Sequence, residues 1–304
     1  RLLTGVRKIT GYKKMNVSLG QVSPVKEIIE PVNRYFHNPI AASIVQILKD
    51  TWITPNQVTY VSIFVGLISA YIYSIGTVQA FFFAGILLEL VLILDCVDGQ
   101  LARAQKCSSD WGRLLDGIAG YVIYLAVLTG IVIGFNQEYI TLAVFGLITI
   151  FRGIAYDYCK LTMITMIQKG YDGSIKEISD TYSKISQNNL ILLKVYFYYL
   201  QLQRFIFCGR FISLDKFLDY GKENSTDYLL SPSERKDYQK QIGPLMIAWS
   251  WNGVDLPLFF LVLMSLFGVM ESYLFPLVCF LALQFVFIMI YHRIQNQKFL
   301  NIKG

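Results

Sequence analysis

Apolar residues dominate six windows of the chain, roughly 57–75, 78–96, 114–135, 139–159, 245–268 and 272–291. Each is near the twenty or so residues that a helix needs to cross bilayer hydrocarbon. Ahead of the first window, "VSPVKEIIEPVNRYFHNPIAASIVQILKDTWITPNQVT" sets Ile40, Ile44, Ile47 and Leu48 among polar neighbours, the spacing of a helix lying along a membrane surface. That stretch closes on Thr54 and Pro55, a capping residue followed by one suited to the first helical position. Between the fourth and fifth windows, "LILLKVYFYYLQLQRFIF" is apolar but interrupted by Lys194, Gln201, Gln203 and Arg204, which predicts an interfacial or core-packed helix, with a seventh span as the lesser alternative. The pattern therefore predicts an all-α integral membrane protein, six transmembrane helices preceded by an amphipathic surface helix. It divides into an N-terminal segment 1–50, helices one to four over 51–160, an insertion over 161–241, and helices five and six with a tail over 242–304.

Composition agrees with that class: of 304 residues, 54% are hydrophobic and 16% charged, too apolar for an ordinary soluble domain. Lysine and arginine number eight in residues 1–50, three in 97–113, twelve in 160–241 and three after 291, whereas the connections near 76–77, 134–138 and 269–271 have none. This asymmetry predicts that both termini and the 97–113 loop face the cytosol. The net charge of +6 is then read as attraction to anionic membrane lipid, with no nucleic-acid partner expected. The cysteines at 96, 107, 159, 208 and 279 have neither paired nor metal-type spacing, so neither a disulfide framework nor a zinc site is expected. From Arg1 onward there is no charged-then-apolar leader, and a signal peptide is expected to be absent or already removed.

Chemistry concentrates in "LILDCVDGQLARAQKCSSDWGRLLDGIAG", residues 92–120. On a helix Asp95 and Asp98 are three apart and share a face, with Gly99 beside them; Gly112, Asp116 and Gly120 recur every four and stack along the next helix. If those faces oppose, three carboxylates meet at the edge of hydrocarbon, where unpaired negative charge is costly. Oxygen donors without a histidine or thiolate cluster suit a hard divalent cation such as Mg²⁺ or Mn²⁺. A structural network with Arg103, Lys106 and Arg113 would satisfy the same aspartates, and the spacing alone leaves both arrangements open.

The residues Asp95, Asp98-Gly99, Ala102-Arg103, Gly112 and Asp116, with their gaps, resemble the signature of the CDP-alcohol phosphotransferase family, Asp-x2-Asp-Gly-x2-Ala-Arg-x8-Gly-x3-Asp-x3-Asp. Seven of its eight defined positions match, and the resemblance is clear over roughly residues 30–160. It implies an integral membrane enzyme of phospholipid biosynthesis that moves a phosphoalcohol or phosphatidyl group from a CDP-linked donor to a hydroxyl acceptor, a lipid or polyol, and releases CMP. It implies a two-metal site of Mg²⁺ or Mn²⁺ held by Asp95, Asp98 and Asp116. Gly99, Ala102, Arg103 and Gly112 are implied at the nucleotide and phosphates, and a homodimer through helices three and four. The family's last aspartate, a second-metal ligand and the base for the attacking hydroxyl, falls at Gly120, which offers neither. The second metal site is then expected to be weakened and turnover slowed, with Asp157 or Asp110 as substitute bases.

Two other classes compete. A non-catalytic relative would bind CDP-alcohol and metal without releasing CMP. An ion-coupled transporter would use the aspartates as a cation path, but they cluster at one end of the spans and no inverted repeat is evident. Arg152, Asp157, Lys160, Asn252 and Asp255 are candidates for the acceptor pocket, Arg152 foremost for a phosphate. His37 and His292 are expected at the membrane interface, away from the chemistry.

Overall fold

A computed structural model describes residues 26–107, 110–135, 139–187, 191–209, 211 and 230–302. Expectations placed on residues 1–25 and 212–229, and on the side chains of Asp110 and Arg113, lie outside the described residues. The fold is all-α, as the pattern predicts, with no strand among the described residues. A short irregular helical segment, Asn33–His37, leads into α1 (Asn38–Leu48), α2 (Pro55–Tyr73), α3 (Val78–Ala104), α4 (Asp110–Phe135) and α5 (Tyr139–Lys169). After these come α6 (Gly173–Gln187), α7 (Ile191–Cys208), α8 (Pro232–Ser250), α9 (Asp255–Phe267) and α10 (Met270–Ile302).

Among the described residues, five stretches are long and apolar enough to cross a membrane: Val78–Ala104, Leu115–Phe135, Tyr139–Lys169, Pro232–Phe267 and Met270–Gln295. The expected first span, now α2, is not among them, because its first turn is the polar Pro55, Asn56 and Gln57. It nevertheless runs antiparallel to α3 over the same height: Thr59 meets Asp98 at one end and the Ser69 hydroxyl donates to the Ala84 carbonyl near the other. Its start is fixed by a complete capping box, in which Thr54 accepts from the Gln57 N–H and the Gln57 side chain accepts from the Thr54 N–H.

Small residues let these helices meet backbone to backbone. A Cβ at Gly130 would overlap the Ala70 carbonyl and one at Gly134 the Tyr73 carbonyl, so these two glycines, four apart, bring α4 alongside α2. The main core fills the end of the bundle away from the motif, with Tyr73, Phe81, Leu88, Ile131, Phe145, Leu261 and Leu281 fully or almost fully buried. There the Tyr73 hydroxyl bonds that of Ser265, fixing α9 against α2.

The expected helix over 245–268 is broken: α8 ends at Ser250, a turn covers 251–254, and α9 restarts at Asp255. At 13 residues α9 reaches only about 20 Å, so α8 must supply the rest of any crossing. α5 continues to Lys169, ten residues past the expected limit of the fourth span, and carries α6 and α7 on that extension. The surface helix is present as α1, but its inward face is Ala41 and Val45, packed on Val58, Val97 and Leu101, while Ile47 points outward.

Candidate functional site

α3 ends where α1, α2 and α4 come together, and this places the motif. Asp98 is buried and its Oδ2 accepts a 2.6 Å hydrogen bond from the Thr59 hydroxyl on α2. Asp95 and Asp116 make a carboxyl to carboxyl hydrogen bond across α3 and α4. Two carboxylates that face each other so closely repel unless a positive charge lies between them. Asp98 and Asp255 lie within electrostatic reach of the same Asp95 group.

The three motif aspartates thus gather at one end of the bundle. They are not closed into a cage: among the described residues no three His, Cys, Asp or Glu side chains stand close enough to hold a metal as they are. The donor set is wholly oxygen, with the charge of Arg103 acting on Asp98 from the rim, and such a set suits a hard divalent ion.

The remaining motif positions form an open rim. Arg103 is exposed and arches over Gly99, where a Cβ would lie 3.6 Å from Nη1. Ala102 and Gly112 are half-buried. Gly120 is exposed on α4, with nothing within 4 Å of the place a Cβ would occupy. Gln100 and Gln105 brace the rim by donating to Asn38 Oδ1 and to the Ile53 carbonyl, at 2.9 and 3.0 Å, which ties α1 and its exit to α3.

Behind the motif lies a polar cluster of which the sequence pointed only to Asp255. Asn33 donates to the Asp255 carboxylate, and the Asp255 backbone N–H donates to Glu30 Oε2 at 3.1 Å. Glu30 is buried; desolvation, then the Asp255 charge, pushes it well above the usual carboxylate range. His37 is fully buried, with Nδ1 2.7 Å from Asn33 Oδ1 and Nε2 2.9 Å from Glu89 Oε1. Both histidines are buried inside the protein. His37 is drawn inward by Glu89 on α3, and His292 is buried under Trp249, whose indole N–H donates to its Nδ1. A carboxylate in the middle of an apolar helix, as Glu89 is, was the available signal.

The acceptor candidates separate. Arg152 is also corrected: it is fully buried, and its guanidinium donates to the carbonyls of Leu281 and Trp251 and to Gln284 Oε1, at 3.1, 2.9 and 3.0 Å. It clamps α5 to α10 and to the turn after α8 instead of facing a phosphate. Asn252 is fully buried in that turn. Lys160 holds its ammonium 5.1 Å from the Tyr156 ring centre, and Asp157 lines a separate cleft between α5, α6 and α7.

With this geometry in place, comparison with known proteins gives a consistent result. The family profile described as CDP-alcohol phosphatidyltransferase matches residues 52–213, reaching through α7, well past residue 160. The chain is 39% identical over 87 residues to the bifunctional IPC transferase and DIPP synthase of Thermococcus kodakarensis, covering 29% of this chain and 19% of that protein. It is 34% identical over 87 residues to the archaetidylinositol phosphate synthase of Pyrococcus horikoshii, 29% of this chain and 45% of that protein. The bifunctional IPC transferase and DIPP synthase of Aquifex aeolicus is 30% identical over 103 residues, 33% and 22% of the two lengths. The match therefore spans less than half of each relative.

Proposed function

Because the chain belongs to the CDP-alcohol phosphatidyltransferase family, we propose that it transfers a phosphoalcohol or phosphatidyl group from a CDP-linked donor to a hydroxyl acceptor, releasing CMP, at a rate limited by Gly120. The observation that carries this reading is the convergence of Asp95, Asp98 and Asp116 at one end of α3 and α4. Those three residues would hold Mg²⁺ or Mn²⁺, which when bound neutralises charge on the diphosphate. Arg103, exposed above Gly99, is placed to fork a phosphate, and the small Gly99, Ala102 and Gly112 keep the rim low enough for a nucleotide to lie against the helices. The acceptor oxygen forms a bond to phosphorus as the bond to the CMP oxygen breaks, and the acceptor proton leaves to a base. At residue 120 there is no carboxylate to take that proton or to hold a second metal, so positioning and the fixed charges carry most of the rate.

The active site on this reading faces the cytosol, as the lysine and arginine asymmetry supports, and α2 serves as a sixth crossing beside α3. A homodimer through α4 and α5 fits their outward apolar residues, among them Leu125, Val144 and Phe151, and a monomer by native mass spectrometry in mild detergent would remove that part of the proposal. A second reading, a relative that binds CDP-alcohol without turnover, is favoured by one observation: among the described residues nothing lies within 4 Å of the place a Cβ at Gly120 would occupy. The test is purified protein with a panel of CDP-alcohols, Mg²⁺ or Mn²⁺, following CMP and lipid product by mass spectrometry. CMP release abolished by chelator supports the enzyme; metal-dependent donor binding with no CMP supports the second reading; donor binding indifferent to chelator contradicts both.

A further inference from the structure

The segment that leads into α1 is wedged between α3 and α9, and one side chain closes the wedge. His37 is fully buried, edge-on to the Phe259 ring of α9 with ring centres 6.1 Å apart, and each of its nitrogens faces an oxygen. Which protons it holds follows from Asn33. The Asn33 amide nitrogen donates to the Asp255 carboxylate, so the amide oxygen is the atom that stands 2.7 Å from His37 Nδ1. Turned the other way, the amide would set its oxygen against a carboxylate. An amide oxygen only accepts, so Nδ1 carries a hydrogen. On the far side of the ring Nε2 lies 2.9 Å from Glu89 Oε1, and the second Glu89 oxygen is buried with no hydrogen-bond partner among the described residues. Glu89 thus depends on His37 alone for its counter-charge. A ring held between an amide oxygen and such a carboxylate keeps both protons and is an imidazolium.

The pair does more than cancel a charge inside an apolar helix. Asn33 Oδ1 also accepts from the Cys96 thiol at 3.6 Å, and Cys96 follows Asp95 on α3. The amide that His37 orients therefore touches the turn that carries Asp95, and it holds Asp255, whose carboxylate lies within electrostatic reach of Asp95. Lys160 acts on Asp255 as well. With Asn33 out of place that carboxylate is drawn toward Lys160, and its charge is lost to the motif. We propose that His37 is a positioning residue for the motif: held as an imidazolium between Glu89 and Asn33, it fixes the Asp255 carboxylate behind Asp95 and so raises the affinity of Asp95, Asp98 and Asp116 for a divalent cation. As a role toward a metal this rests on the reading of those three aspartates proposed above.

The chain has two histidines, so nitrogen-15 solid-state NMR of the histidine-labelled full chain in lipid can read each ring. His37 should show two protonated ring nitrogens, whereas His292, whose Nδ1 accepts from the Trp249 indole, should show a bare one. A bare nitrogen on His37 overturns the proposal. Mg²⁺ added to the unsubstituted chain should shift the His37 ring signals, because coupling between two sites is reciprocal. Signals that stay in place overturn the role without any variant. His37→Phe alone leaves Glu89 buried and unpaired and should lower the unfolding temperature. His37→Phe with Glu89→Met should recover most of that loss, since exchanging a whole buried ion pair for apolar groups is often neutral. Manganese binding then separates position from stability. Mn²⁺ titrated into the full chain and followed by EPR should bind the double variant at least about tenfold more weakly than the parent, as when a partner that orients a metal ligand is lost. Binding within about twofold of the parent, the scatter expected of independent sites, overturns the role, as does a parent that binds no Mn²⁺. CMP release on the same samples keeps the two readings apart. Mn²⁺ affinity that depends on the pair without CMP release leaves His37 assigned and removes the reaction, whereas CMP release with Mn²⁺ affinity indifferent to the pair does the reverse.

Discussion

Arg103 and Arg152 carry the same guanidinium in opposite settings. Arg152 is sealed where α5, α10 and the 251–254 turn meet, with two backbone carbonyls and a glutamine oxygen taking its protons. Arg103 lies at the open rim of α3, exposed, its nearest fixed feature a glycine. The carboxylates divide in the same way. Asp255 and Glu30 are bound into a cluster with Asn33, whereas Asp95 and Asp116 face each other and Asp98 accepts from a threonine of another helix with Arg103 acting on it from the rim. Buried polar groups whose main partners come from distant segments of the chain hold the fold; those gathered at the open rim are available to a ligand.

Breaking the sealed side should give the largest effect. Arg152→Ala removes a buried donor to three acceptors and leaves a void, which should lower stability by about 2–4 kcal/mol. Thermal unfolding in detergent would read it. Equal stability with reduced CMP release would move Arg152 to the open class. The converse change, Asp98→Asn or Asp116→Asn, should leave the unfolding temperature nearly unchanged. CMP release should fall at least about 100-fold, beyond the 10–100-fold usual when only a partner of a metal ligand is lost.

Much of this division was legible beforehand, and the part that was not has a common cause. The spacing put Asp95 and Asp98 on one face of their helix because helical periodicity is local, and the Thr54 cap was readable for the same reason. The Asn33–Asp255 contact joins residues 222 apart, and no periodicity within one segment can pair them. Arg152 misled because an arginine near a predicted span end reads as a phosphate ligand or an interfacial residue, while its actual partners are carbonyls on α10 and in the turn after α8. The broken span over 245–268 was hidden in the same way. Gly253 and Asn252 are locally mild, and the turn is enforced by Glu30, whose carboxyl a Cβ at Gly253 would overlap.

Gly120 sharpens the comparison from the open side. Its Cβ position meets nothing within 4 Å, so Gly120→Asp adds a carboxylate one turn beyond Asp116 without displacing a neighbour. CMP release should rise at least about tenfold, the lower part of what a positioned base and added metal ligand supply, and Gly120→Asn should give much less. Donor affinity should change little. Unchanged turnover in Gly120→Asp would show that the absent carboxylate is not the limiting step.

The smallest effect tests the sealed carboxylates through pH. Glu30 is raised, first by burial and then by the Asp255 charge, so the folded protein holds its proton at pH values where the unfolded chain has released it. Between the ordinary carboxylate value and the raised one the folded state therefore binds more protons, and stability must fall as pH rises through that window. One proton can account for a slope of at most about 1.4 kcal/mol per pH unit. Glu30→Gln keeps a side-chain oxygen to accept from the Asp255 N–H and removes the ionisable group. It should match the parent at the acid end of the window and become the more stable protein toward neutral and alkaline pH, with that slope flattened. Denaturation midpoints measured across the window would show it. A slope that survives in Glu30→Gln would mean the proton sits elsewhere in the cluster, and an overall loss of stability at every pH would mean that the geometry of the glutamate, rather than its charge state, is what the turn requires.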